Sequence, residues 1–242
     1  MRNGVCIGLI IPALNEAKAI GKVLGDVPDW VDHIVVADNG STDGTIAMAE
    51  KRGAQTSVAE TRGYGAACLA GIAAMPDCDL VVFLDGDYSD YPEQMDRLVD
   101  PILNKHAQLV IGSRRLGKRE QGSLTIQQRF GNWLACWLIW VFWSVRYTDL
   151  GPFRAIEAEA LRRLDMQDKA FGWTVEMQLR AIQEGLQVLE VPVDYRVRIG
   201  HSKISGTIKG TILAGKAIIG TIVRTVVQER LLGRKKRHDG EA

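Results

Sequence analysis

At 242 residues the chain is long enough for one large domain or two small ones, with ample material for a buried core. Its 30 Lys and Arg against 29 Asp and Glu leave a formal charge of +1, so no global field points to a nucleic-acid partner. Cys6, Cys68, Cys78 and Cys136 form no CxxC pair, lie in apolar or helical contexts and have no His at ligand spacing; they are expected as small core residues in a reducing compartment.

In chain order, the apolar run Val5–Ile11 is stopped by Pro12 with no small-residue cleavage site after it, and reads as a first strand rather than a signal peptide. The loop Pro12-Ala13-Leu14-Asn15-Glu16 then opens a helix over Ala17–Leu24, with Asn15 as N-cap and Glu16 in the first turn. A strand over His33–Asp38 leads into Asp38-Asn39-Gly40-Ser41-Thr42-Asp43-Gly44 and a helix over Thr45–Arg52. Arg62-Gly63-Tyr64-Gly65 opens a helix over Ala66–Ala74 whose free N–H groups could face an anion. The branched and aromatic run Leu80–Leu84 predicts a strand buried on both faces, followed by a helix over Pro92–Lys105 and a strand over Gln108–Ile111. This alternation implies βαβ crossovers and a mostly parallel α/β sheet. From Gly122 the pattern changes to a long apolar helix (Trp133–Val145), a mixed segment, a strand over Gln187–Val193 and a helix from about Gly206 to Leu232. The expected division is a catalytic domain over residues 1–205, holding an apolar helix at about 123–145, and a C-terminal amphipathic helix with a basic tail over 206–242.

Asp85-Gly86-Asp87 follows directly on the Leu80–Leu84 run. Two carboxylates at the C-terminal end of a strand project into the crevice where open α/β sheets bind ligands. Oxygen ligands at that spacing suit a hard ion, Mg2+ or Mn2+, which in turn suits a diphosphate. The same residue types also build ordinary turns. Polar loops after successive strands of one sheet edge favour a site, because capping alone does not require the combination.

The series IPALNE, ADNGSTDGT, RGYGAA, VVFLDGD and IGSR resembles the family 2 glycosyltransferases, which have the GT-A nucleotide-diphospho-sugar transferase fold. TDLGPFRAI and EVPVDYRVRIGHSKISGT are similar to the dolichyl-phosphate mannose synthase branch, whose members move one sugar from a nucleotide to a polyprenyl phosphate. The resemblance extends from about Val5 to Ile222. It implies an inverting, metal-dependent hexose transfer by direct displacement. It places Pro12, Leu14, Asn15, Glu16, Asp38, Asn39, Arg62, Gly63, Asp85 and Gly86 around the nucleotide, with Asp38 accepting from base or ribose. Asp85 is expected near ribose or metal and Asp87 on the metal. Ser89 stands where a glutamine can complete the metal shell, since the chain reads Tyr88-Ser89-Asp90-Tyr91-Pro92 where that branch has a Leu-Gln-His-Pro-like stretch. Arg114 is expected at the acceptor or donor phosphate. Arg198, Ser202 and Lys203 are further phosphate candidates, because a guanidinium forks onto two oxygens, Lys supplies a point charge and Ser a hydroxyl. Arg196 is an alternative to Arg198. Asp87, Arg114, Arg198 and Lys203 form the expected catalytic set.

No acidic base beside an aromatic, in the arrangement typical of family members acting on sugar hydroxyls, is found. A hydroxyl needs its proton taken during attack, whereas a phosphomonoester is already anionic. The preferred acceptor is therefore a polyprenyl phosphate; the alternatives are a soluble or glycolipid hydroxyl, with Glu176 or Asp90 as base, and a nucleotide-sugar-binding protein without turnover. Trp133–Val145 spans too few residues for a membrane crossing, which needs about 20, but its tryptophans suit the headgroup region. The C-terminal helix places Ile208, Ile212, Ile219, Ile222, Val223, Val226 and Val227 at helical spacing, with Lys209, Lys216 and Arg224 mostly elsewhere and Arg230, Arg234, Lys235, Lys236 and Arg237 following. That pattern predicts a peripheral enzyme on an anionic membrane, at the cytoplasmic face and without a transmembrane span. The loops fit uridine and guanosine sugars equally, and the Trp-rich helix would also suit an oligomer.

Overall fold

The computed structural model describes residues 1–200 and 208–238. Seven strands form one sheet: β1 (Ile7–Ala13), β2 (His33–Asp38), β3 (Gln55–Val58), β4 (Leu80–Phe83), β5 (Leu109–Ser113), β6 (Arg154–Glu157) and β7 (Val188–Pro192), in the order β3-β2-β1-β4-β6-β5-β7. All neighbours pair in parallel except β6, which runs antiparallel to both β4 and β5. Strand residues alternate between two cores, as a period of two requires. Leu9, Ile11, Val82 and Val110 pack against α1 (Ile20–Gly25), α2 (Thr45–Lys51) and α4 (Asp96–Leu103). Ile10, Phe83, Ile111 and Ile156 face α3 (Tyr64–Ala74), α5 (Ile126–Trp143), α6 (Ala158–Leu164), α7 (Trp173–Gln183) and α8 (Ile208–His238). Both faces are covered, which is why these strands read as continuous apolar runs.

The chain winds outward from β1 through β2 to β3, then crosses back to β4 on the other flank of β1. The strand order reverses there, so a crevice opens outside the C-terminal ends of β1 and β4. The loop after β1, residues 14–19, meets the loop after β2 at that edge, and the loop after β4, residues 84–91, opens at the same edge.

Several local expectations are corrected. The first helix starts at Ile20, not Ala17, and Asn15 is no N-cap: it takes a left-handed φ of 54° and turns its side chain to the next loop. The expected Pro92–Lys105 helix divides into a 3-10 turn at Pro92–Gln94 and α4. The long apolar helix starts at Ile126 rather than Trp133, set by a capping box in which Thr125 accepts from the Gln128 N–H and the Gln128 side chain accepts from the Thr125 N–H. Among the cysteines, Cys68 and Cys136 are buried as expected, whereas Cys6 and Cys78 are only partly buried and lie side by side.

Candidate active site

The loops after β1 and β2 are stitched together. Asn15 N–H donates to Ser41 Oγ (2.8 Å), Asn15 Oδ1 accepts from Thr42 N–H (2.8 Å), Glu16 N–H donates to Thr45 Oγ1 (2.8 Å) and Ala17 N–H to Asp43 Oδ2 (3.1 Å). Asp38 is buried at the end of β2. Its Oδ2 accepts from Gly40 and Ser41 N–H, both at 2.9 Å, while Oδ1 is buried with no hydrogen-bond partner among the described residues. An orphaned carboxylate oxygen is costly unless a ligand donor meets it. Pro12 lies near the end of β1, registered against Ala37, and Leu14 follows the strand. Asn39 accepts from Gly63 N–H (2.8 Å) and donates to Thr61 carbonyl (3.2 Å), and Arg62 is exposed beside them.

Two of the first N–H groups of the helix beginning at Tyr64 are not free for an anion, contrary to expectation. Gly65 and Ala66 N–H donate to the Ala170 and Lys169 carbonyls, both at 3.0 Å. The glycines are needed for this approach: a Cβ on Gly63 or Gly65 would fall 1.9 Å from the carbonyl oxygen of Lys169 or Asp168. Gly86 similarly admits β1, since its Cβ would lie 3.3 Å from Ile11 Cγ2 and the Pro12 carbonyl.

After β4, Asp85 accepts from the Tyr64 hydroxyl (3.0 Å) and borders open space. Burial pushes its carboxyl pKa up, against the opposing charge of Arg198. Asp87 is 2% exposed. Its Oδ1 accepts from Ser89 N–H (2.9 Å) and the Ser89 hydroxyl, and its Oδ2 is ion-paired with Arg198. Ser89 thus supports Asp87 from below. Next to them Asp90 is fully buried, and no hydrogen bond of ordinary geometry reaches either carboxylate oxygen from the described residues. Burial and Asp85 push its pKa up to about 7, with Arg114 and the Asp85 backbone offsetting part. Three carboxylates in one short turn, with under-coordinated buried oxygens and no soft ligand among them, form a donor set that fits a hard divalent cation.

Arg114, at the end of β5, is held by Asp149, which accepts from its Nε (2.8 Å), Nη2 (2.6 Å) and backbone N–H (2.8 Å). Burial opposes the guanidinium charge, but Asp149 outweighs it and raises the pKa. The turn carrying Asp149 is fixed in turn by Glu190 of β7, which accepts from Thr148 and Asp149 N–H, and by Asn132 of α5, which accepts from Leu150 N–H. Arg154 of β6 lies fully buried, donating to the Gly151 and Thr174 carbonyls; burial lowers its pKa. Neither Asp149 nor Arg154 stood out in sequence, although both lie in the TDLGPFRAI segment.

Tyr64, Asp85, Arg114, Asp149 and Arg198 border a cleft of about 990 Å3, whose lining does not include Asp38, Asp87, Ser89 or Asp90. Asp85, Asp149, Arg114, Arg198 and three more arginines, Arg115, Arg119 and Arg129, supply its charged lining, while Leu124, Ile126, Phe130, Trp133, Phe171 and Ile218 form an apolar wall. Ile126, Phe130 and Trp133 also begin an exposed stripe on α5, continued by Trp137 and Trp140 at alternating spacings of helical type. Ile219, Val223, Val227 and Leu231 form an exposed stripe on α8. The two helices are joined where Trp143 Nε1 donates to Glu229 (2.9 Å). Among the described residues no helix is long and apolar enough to cross a membrane.

The remaining candidates separate. Arg196 donates to the Tyr88 and Asp90 carbonyls and stacks on Tyr88 and Tyr91, so Arg198 rather than Arg196 faces Asp87. Glu176 is not at the cleft: it accepts from Gln167 and Asp168 N–H and from Arg180 Nε (2.9 Å), which is a structural role. Ser202 and Lys203 lie outside the described residues, as do the side chains of Ile208, Lys209, Ile212, Arg230 and Arg234 to Arg237.

Residues 9–159, more than half of the chain, match the model for glycosyl transferase family 2. An uncharacterized glycosyltransferase of Mycobacterium tuberculosis is 34% identical over 212 residues, 87% of this chain and 95% of that protein. An undecaprenyl-phosphate mannosyltransferase of Micrococcus luteus is 31% identical over 83% of this chain and 88% of its own length. A dolichyl-phosphate hexose transferase of Haloferax volcanii is 32% identical over 93% and 96%. Among solved structures, glucosyl-3-phosphoglycerate synthase from Mycobacterium tuberculosis superposes with a TM-score of 0.76 over 92% of this chain and 80% of that one, at 24% identity, which shows the shared GT-A fold. The chain is therefore a glycosyltransferase and belongs to family 2.

Proposed function

We propose that the enzyme transfers a hexose, with inversion, from a nucleotide sugar to a polyprenyl phosphate, working as a peripheral protein at the cytoplasmic face of a membrane. The observation that carries this reading is the continuity of the cleft with the exposed stripe of α5. Ile126, Phe130 and Trp133 belong to both, so a prenyl chain leaving a bilayer would follow one apolar surface to an arginine-lined end beside Asp85. Tryptophans favour the headgroup region, and exposed apolar patches of this kind mark interaction surfaces. Relatives named as polyprenyl-phosphate transferases support the acceptor class.

In this reading the loops at Pro12–Glu16, Asp38–Asn39 and Arg62–Gly63 hold the nucleotide, with the free Asp38 oxygen accepting from base or ribose. Asp85 and Asp87, with Ser89 and Asp90 beside them, would hold Mg2+ or Mn2+; that ion would offset the charge developing on the leaving diphosphate. Mn2+ accompanies the UDP sugar in the glucosyl-3-phosphoglycerate synthase complexes. Arg114, oriented by Asp149, and Arg198, with Ser202 and Lys203, bind the acceptor phosphate. One phosphate oxygen attacks the anomeric carbon in line while the bond from that carbon to the diphosphate oxygen breaks. The acceptor oxygen carries no proton, so no base is required.

The test is transfer of label from UDP-glucose and GDP-mannose to undecaprenyl phosphate in mixed micelles, with and without EDTA. Label is expected in the lipid phase, lost on chelation and restored by Mn2+ or Mg2+. Label passing to soluble hydroxyl acceptors alone would overturn the reading. That outcome would favour a hydroxyl acceptor with Asp90 as base, for which its burial and pKa near 7 are suited.

A further inference from the structure

At the sheet edge opposite the cleft, the three central parallel strands begin together. Cys6 immediately precedes β1, His33 opens β2, and Cys78 lies just before β4. Because β1 sits between β2 and β4, with Gly8 registered on His33 and Ile7 on Leu80, three residues far apart in sequence converge. Cys6 Sγ and Cys78 Sγ are 3.1 Å apart, and these atoms and an imidazole nitrogen of His33 all lie within 4.8 Å of one another. Two carboxylates flank the group: Asp79 accepts from the Cys6 N–H (2.8 Å) and Asp32 from the Ile7 N–H (2.9 Å).

We propose that Cys6, His33 and Cys78 form a binding site for a borderline-soft divalent ion, Zn2+ foremost, separate from the carboxylate site of the cleft. Two sulfurs and one imidazole nitrogen are the ligand types that select Zn2+ over Mg2+ or Mn2+, and three protein ligands leave a fourth position for water. With Zn–S near 2.3 Å and tetrahedral angles, ligand atoms stand about 3.8 Å apart. To reach that spacing the sulfurs must part by less than an ångström and the imidazole nitrogen, within 4.8 Å of them, must close by about an ångström at most, which side-chain rotations supply. Binding exchanges two S–H bonds for two metal–thiolate bonds and releases two protons to solvent. Asp79 favours the incoming cation, whereas the charge of Asp32 is offset by its ion pair with the N-terminal ammonium (2.6 Å). A Cys6–Cys78 disulfide, the competing use of the pair, would give His33 no part. An ion here would fasten the starts of β1, β2 and β4, at the far end of the strands that carry the catalytic loops.

The experiment uses the full-length protein, reduced, stripped with chelator and titrated with Co2+ as a spectroscopic probe. One equivalent is expected to give thiolate-to-metal charge-transfer absorption and the intense visible bands of tetrahedral Co2+, both removed by equimolar Zn2+. Cys78→Ser should abolish the charge-transfer band or halve it, and His33→Gln should weaken affinity by at least about tenfold, with folding of each variant checked by circular dichroism. Asp87→Asn should leave the bands intact, which separates this site from that of the cleft. A folded, reduced wild type without tetrahedral thiolate bands would overturn the proposal, as would bands indifferent to His33→Gln. A protein that loses two thiols per chain without reductant and ignores Zn2+ would identify a disulfide instead, and likewise overturn it.

Discussion

Replacing Asp149 with Ala tests how Arg114 is held. The change removes acceptors for Arg114 Nε, Nη2 and backbone N–H, at 2.8, 2.6 and 2.8 Å. The two side chains are 14% and 3% exposed, so water replaces the lost carboxylate poorly. Breaking a buried ion pair by removing one partner costs about 3–5 kcal/mol. Arg114 keeps an edge on the cleft and lies 5.1 Å from the Tyr195 ring centroid, so the lower end, about 3 kcal/mol, is expected. For a domain of this size that lowers Tm by about 6–12 °C. The kinetic effect should be one-sided: KM for the lipid phosphate rises about tenfold or more as the guanidinium loses its orientation, while KM for the sugar nucleotide holds. Asp149→Asn, which keeps the shape and one acceptor oxygen, should fall between. Thermal unfolding followed by circular dichroism, with transfer kinetics on each substrate, reads both effects. A Tm change below about 2 °C, against the fall expected for a domain of this size, or an equal rise in both KM values, would refute the reasoning.

Asp87→Asn should cut kcat by about 100-fold or more while nucleotide still binds, measured by single-turnover transfer and calorimetry. Gly65→Ala should destabilise by about 1–3 kcal/mol or more in urea unfolding, because the new Cβ meets the Asp168 carbonyl. Glu176→Gln should lower stability by about 1–2 kcal/mol through the weakened Arg180 pair, yet leave kcat unchanged; a collapse of kcat with intact folding would put Glu176 back among the bases. The double change Phe130→Asp and Trp137→Asp should sharply reduce co-sedimentation with anionic vesicles while water-soluble nucleotide still binds normally.

The runs Val5–Ile11, His33–Asp38 and Leu80–Leu84 were legible because strands covered on both faces leave continuous apolar sequence. Strand β3 escapes that signal: Gln55–Val58 is polar, partly exposed and at the edge of the sheet. Strand β6 escapes because it opens on Arg154, a buried charge that breaks an apolar run. The carboxylates at Asp85 and Asp87 announced themselves by sitting behind a strand. Asp149 could not, since its importance lies in Arg114, which is distant in sequence. The glycines of Arg62-Gly63-Tyr64-Gly65 were visible as a helix-opening run, but the reason for Gly63 and Gly65, a backbone packed against them from residues 168–170, depends on tertiary structure. Cys6 and Cys78 were misjudged for the same reason, as only the strand order brings them together.

The stitching of residues 15–17 to residues 41–45 bears on how these loops can change in this fold. Each loop supplies hydrogen-bond partners to the other, through Asn15, Ser41, Thr42, Asp43 and Thr45. A graft that imports one loop from a relative would strand the other's donors and acceptors, and binding would fail before selectivity could be read. The two loops therefore form one inheritable unit, and, on the proposal that they hold the nucleotide, redesign toward another nucleotide would have to exchange them as a pair.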